Sequence, residues 1–135
     1  MRRVSARPRL VDVPGLYAEA PYAYAAATAG ASLVFTAGAC PIDEFGRVVA
    51  GGPEAQASRA LDNLEVALGA AGATLQDVVK TTVYVVAREG DELVRVWRVV
   101  EERFGDWRAP STLLGVTVLG YRDQLMEIEA VAVAG

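Results

Sequence analysis

The chain has 135 residues with a formal charge of −4, no histidine, a single cysteine and 53% hydrophobic residues. That length suits one domain over residues 1–135 with a core that needs neither disulfide nor metal, and no run approaches the roughly 18 apolar residues of a membrane span. Without histidine and with Cys40 alone, Ser-His-Asp and Cys-His nucleophile systems and zinc sites built on His or Cys are excluded, no metal or other cofactor is implied, and no intrachain disulfide can form.

The arginines are scattered singly in a chain of pI near 4.8, so there is no basic footprint for nucleic acid. Met1-Arg2-Arg3 is followed by no apolar run of the kind a signal peptide carries, and the expected location is cytoplasmic. A mean hydropathy of +0.25 is high for a small domain and points to apolar surface buried between subunits.

In chain order, Arg9 to Val13 is a short expected strand ended by Pro14-Gly15. Tyr22 to Thr28 alternates as a strand does, although its alanines also suit a helix. Leu33 to Ala37 is a buried strand stopped by Gly38, and Asp43-Glu44-Phe45-Gly46 is a turn with Gly46 at positive φ. From Pro53 to Ala71, Ala57, Ala60, Leu61, Leu64, Ala67, Leu68 and Ala71 recur at helical spacing, with Pro53 as a first helical residue and Gly69 and Gly72 at the far end. Val78 to Val86 is β-branched and continuous, as a central strand is. Asp91 is placed to cap a second helix to Phe104, burying Leu93, Val96, Trp97, Val100 and Phe104 and stopping at Gly105.

The last quarter, Ala109 to Val133, reads as two strands about a charged turn. In the second, Leu125, Glu127, Glu129, Val131 and Val133 share one face and Met126, Ile128, Ala130 and Ala132 the other. Glu127 and Glu129 therefore sit side by side, either as a strand end meeting solvent or at the border of a buried surface where desolvation can adapt a carboxyl to proton transfer. The order ββ(β)αβαββ predicts an α+β fold: a mixed sheet, one right-handed parallel crossover, both helices on one face, and a bare face with apolar strands left to meet another subunit.

Four stretches together resemble the RidA family, also called YjgF/YER057c/UK114: Leu33 to Pro41, the helix with Ala55-Gln56 and Leu61-Asp62-Asn63-Leu64, Val78 to Val85, and Leu125 to Val133. The resemblance implies a chorismate-mutase-like homotrimer with small-molecule clefts between subunits. It also implies hydrolysis of enamines or imines to 2-keto acids and ammonia, with an Arg in a Pro-Ala-Arg-Ser/Thr motif gripping the substrate carboxylate and a Glu positioning water. Glu127 matches that Glu, but the Arg position, aligned through Gly115-Val116, holds Ser111 in Ala109-Pro110-Ser111-Thr112. A hydroxyl cannot give the bidentate, charged grip of a guanidinium.

By the same resemblance, Tyr24 is the better match for a cleft tyrosine with Tyr22 as the alternative. Gly38 and Ala39 line the cleft with backbone, and Leu113 lies beside Ser111. Trp97 stands where family members often carry Asn, facing either core or cleft. The expected catalytic residue is Glu127, with Tyr24, Gly38, Ala39, Trp97, Ser111 and Leu113 binding substrate. Glu129 should pair with an Arg or meet solvent, Arg108 and Arg122 are the arginines nearest the altered motif, and Cys40 is a small buried hydrophobe. Ser111 has no histidine to make it a nucleophile. Three functions fit: an enamine or imine hydrolase whose usual 2-imino acid activity is in doubt, a metabolite-binding module, and a biosynthetic catalyst of cyclisation, tautomerisation or hydrolysis.

Overall fold

A computed structural model describes residues 7–29 and 32–134, so the basic Met1–Arg3 segment lies outside the described residues. Two short strands, β1 (Arg9–Val11) and β2 (Ala25–Ala27), pair antiparallel as a separate ribbon. Then come β3 (Ser32–Phe35), helix α1 (Pro53–Ala70), a 3-10 turn at Leu75–Asp77, β4 (Val78–Val86), helix α2 (Gly90–Phe104), β5 (Ser111–Val116) and β6 (Met126–Ala134). The last four strands form one sheet in the order β3-β6-β4-β5, antiparallel except for the β4–β5 pair. The α+β class, the mixed sheet and the helical periods agree with expectation.

Both helices cover one sheet face. Leu61, Leu64 and Leu68 of α1 and Val96 and Val100 of α2 meet Val83 and Val85 of β4 and Met126, Ile128, Ala130 and Ala132 of β6 in one buried cluster. Helix α1 begins at Pro53 as the sequence predicts, but Ala67 and Ala71 are exposed, while Gln56, a polar residue, is buried. Helix α2 starts two residues earlier than expected. Its N-cap is Glu89, in a reciprocal box with Glu92, so Asp91 lies in the first turn.

The bare face is not apolar throughout. Register places Tyr84 opposite Glu127 and Thr82 opposite Glu129, so a polar strip crosses its middle. Apolar surface is concentrated at the β3 edge, where Leu33 and Phe35, paired with Val133 and Val131, are 51% and 71% exposed. No helix among the described residues is long and apolar enough to cross a membrane.

Candidate functional site

Glu127 is half-buried on the bare face. Its Oε1 accepts two hydrogen bonds, from Cys40 Sγ at 3.0 Å and from Gln124 Nε2 at 3.2 Å. The carboxyl lies against Gly38, where an added β-carbon would overlap it. Gly38 belongs to an extension of β3: Thr36 N–H donates to Ala130 O, and Ala39 exchanges backbone hydrogen bonds with Ile128 at 2.7 and 3.2 Å. Ala39 N–H is therefore committed to the sheet and not free to polarise a substrate.

Helix α1 pins both loops around this carboxylate. One turn of Gln56 faces the segment before β6: its Nε2 donates to Asp123 O and its Oε1 accepts from Leu125 N–H at 2.7 Å. Two turns later, on the same side of the helix, Asn63 Nδ2 donates to Cys40 O and Ile42 O at 2.8 and 2.9 Å. Gln124, only 3% exposed, is fixed by Tyr121 N–H at its Oε1 and by its own donation to Met126 O. These bonds satisfy polar groups that burial would otherwise leave costly.

The neighbouring carboxylate is differently placed. Glu129 neither pairs with an Arg nor stands free; its Oε1 accepts from Tyr84 hydroxyl at 2.5 Å. That hydrogen bond, then burial and the adjacent carboxylates, hold the Tyr84 phenol above its ordinary pKa of 10.0. Cys40 is similarly raised, to about 11, first by burial and then by hydrogen bonding and charge from Glu127, so the thiol remains protonated at neutral pH.

Ser111 belongs to another part of the surface. It is opposite Thr81 in register, an odd number of residues from Tyr84 along β4, so it faces the helices while Glu127 faces away. Its Oγ is 2.6 Å from Thr81 Oγ1. Pro21, Tyr22, Trp97, Ser111, Thr112 and Leu113 line a hollow there, which continues past Trp107 and Arg108 toward Glu101. Trp97 packs on the core and also walls this hollow, and its Nε1 is enclosed without a hydrogen-bond partner. Tyr22, not Tyr24, reaches it; Tyr24 stacks edge-on with Tyr22 at 5.5 Å and donates its hydroxyl to Tyr17 O at 2.9 Å.

Arg108 borders the hollow as an exposed side chain, whereas Arg122 is on a groove beside Gln56 and Leu125. A cation that the sequence did not bring to notice is Lys80, whose Nζ donates to Thr112 Oγ1 at 2.6 Å. Gln56, Asn63, Gln124 and Tyr84 were missed as well. Polar residues at positions patterned for burial, Gln56 above all, were the signal that could have found them.

Residues 15–134 match the family model described as Endoribonuclease L-PSP. A RutC family protein of Pyrococcus abyssi is 36% identical over 110 residues, spanning 81% of this chain and 84% of that protein. The 2-iminobutanoate/2-iminopropanoate deaminase of Salmonella typhimurium is 34% identical over 104 residues, spanning 76% and 80% respectively. A crystal structure of a Rid-family protein of Yersinia pestis has a TM-score of 0.87 at 28% identity, covering 94% of this chain and 98% of that one.

Proposed function

Because the chain belongs to the Endoribonuclease L-PSP family, the group also called RidA or YjgF/YER057c/UK114, we propose that it hydrolyses a small imine, enamine or related carbonyl compound in clefts between the subunits of a homotrimer. The observation that carries this is the Glu127 carboxylate, half-buried and clamped on Oε1 by Cys40 and Gln124. A water held by Glu127 attacks the imine carbon as the carboxylate takes its proton. The C=N π pair moves to nitrogen, which is protonated in turn. The carbinolamine then collapses: its hydroxyl proton is passed by way of the Glu127 carboxylate to nitrogen, C=O forms, and the C–N bond breaks with its pair on the protonated nitrogen, which leaves as ammonia or an amine.

The homotrimer has a geometric motive. Glu127 and the Ser111 hollow lie on opposite faces of one sheet, so a cleft that uses both must draw them from two chains. At the Ser111 end the walls are Pro21, Tyr22, Trp97 and Leu113, with one hydroxyl, that of Ser111. That lining favours a substrate whose far end is uncharged over a 2-imino acid. RNA cleavage, which the family description names, gains nothing from a chain of charge −4 whose Arg47, Arg95 and Arg103 are paired with carboxylates.

The test compares two imines with the purified protein: 2-iminopropanoate formed from alanine by an amino-acid oxidase, and N-benzylidene-methylamine, a neutral aryl imine followed by benzaldehyde release. Faster hydrolysis of the neutral imine, with little effect on 2-iminopropanoate, is expected. Acceleration of neither would overturn the hydrolase assignment in favour of a metabolite-binding module.

A further inference from the structure

We propose that Cys40 and Gln124 are positioning residues that fix the Glu127 carboxylate in one orientation, with Oε1 as the anchored atom and Oε2, lying over Gly38, as the atom that takes the proton. The chemistry assigned to Oε2 rests on the hydrolase reading above; the clamp itself does not.

Both hydrogen bonds that reach the carboxylate among the described residues fall on Oε1, from Cys40 Sγ at 3.0 Å and Gln124 Nε2 at 3.2 Å. Neither donor is loose. Gln124 is held at both ends of its amide by Tyr121 N–H and Met126 O, and Asn63 of α1 holds the carbonyl of Cys40 itself. On the other side the carboxyl rests on the bare α-carbon of Gly38, which any side chain would displace. A carboxylate with one oxygen engaged by two fixed donors presents its second oxygen in a fixed direction, which is what proton transfer to a positioned water requires. Cys40 suits this role because its environment keeps the thiol protonated, with a pKa of about 11, so it serves as a donor rather than as a nucleophile.

The charged group in contact with Sγ is Glu127 of β6. Tyr84 of β4 and Glu129 of β6 share that face beyond it, and α1 presents the uncharged Asn63 to the loop.

The test needs no substrate. Alkylation of Cys40 by iodoacetamide in the full-length protein follows the thiolate fraction, tenfold per unit of pKa. The wild-type rate should still be climbing at about pH 10. Glu127→Gln should shift the whole profile to lower pH, raising the rate about threefold or more near pH 8.5, and Gly38→Ala, which pushes the carboxyl away, should shift it in the same direction. Profiles that do not shift, or rates raised by one constant factor at every pH as simple opening of the loop would give, would overturn the proposal. A shifted profile in a protein that hydrolyses no imine would leave the clamp standing and sink the hydrolase reading; imine turnover with an unshifted profile would do the reverse.

Discussion

The carboxyl of Glu127 occupies the space that a side chain on Gly38 would need: a β-carbon there would overlap it and stand 2.8 Å from Glu127 Cγ. Gly38 is not among the positive-φ glycines of the described residues, so close approach and not backbone conformation demands the missing side chain. Because the obstruction is the far end of a flexible side chain, Gly38→Ala should leave the fold intact and lower Tm by only a few degrees, roughly 1 kcal/mol. Turnover of the neutral aryl imine should fall by about a factor of ten or more as the base is displaced. Thermal unfolding and initial rates on one preparation check both halves; unchanged turnover would mean that Glu127 does not act from this position.

Tyr84 is expected to ionise above the ordinary phenol range because its hydroxyl is bound to Glu129. The phenol donates to the carboxylate, which raises its folded pKa. For a group raised on folding, the stabilisation is complete below the unfolded value of 10.0 and is lost as pH rises through the folded one. A spectrophotometric titration, taken as wild type minus Tyr84→Phe, should show this tyrosine ionising later than a free phenol. Glu129→Gln should bring it down. A Tyr84 that ionises like free tyrosine in the wild type would remove the bond from consideration.

Ser111 is the position at which substrate charge should be selectable. A guanidinium there would meet a carboxylate with about 1.5–3 kcal/mol of charge-assisted hydrogen bonding, tenfold to a hundredfold in affinity. Ser111→Arg should therefore lower KM for 2-iminopropanoate and leave the neutral aryl imine unimproved. Equal effects on the two substrates would show that the hollow beside Trp97 is not where the substrate's far end lies.

The opposite facing of Ser111 and Glu127 calls for a closed assembly, and the exposed Leu33 and Phe35 supply apolar surface for it. Light scattering at micromolar concentration should give three times the chain mass of 14.3 kDa. A stable monomer would contradict the shared cleft.

The elements with strong local periods were legible in the sequence. Val78 to Val86 could only be a buried strand, the leucines of α1 repeat with the helix, and alternation put Glu127 and Glu129 on the face away from Met126 and Ile128, where the structure has them. Contacts between distant segments were not legible, because no local pattern encodes register. Cys40 and Glu127 are 87 residues apart in sequence and Tyr84 and Glu129 are 45 apart, so the thiol looked like a plain hydrophobe and Glu129 looked free to find an arginine. The choice between Tyr22 and Tyr24 turned on the path of the segment before β2, which small alternating residues leave undetermined.

Of the two carboxylates, Glu127 is the one expected to carry the chemistry. Both are half-buried on one face, but Glu127 is clamped through one oxygen beside Gly38, whereas Glu129 is engaged by Tyr84. The most direct measurement is the rate of N-benzylidene-methylamine hydrolysis by Glu127→Gln and Glu129→Gln, each first shown to keep the wild-type assembly. Loss of a general base costs about a hundredfold or more, so Glu127→Gln should fall to near background and Glu129→Gln should stay within about threefold of wild type. Full activity in Glu127→Gln, with the loss appearing in Glu129→Gln, would contradict the account.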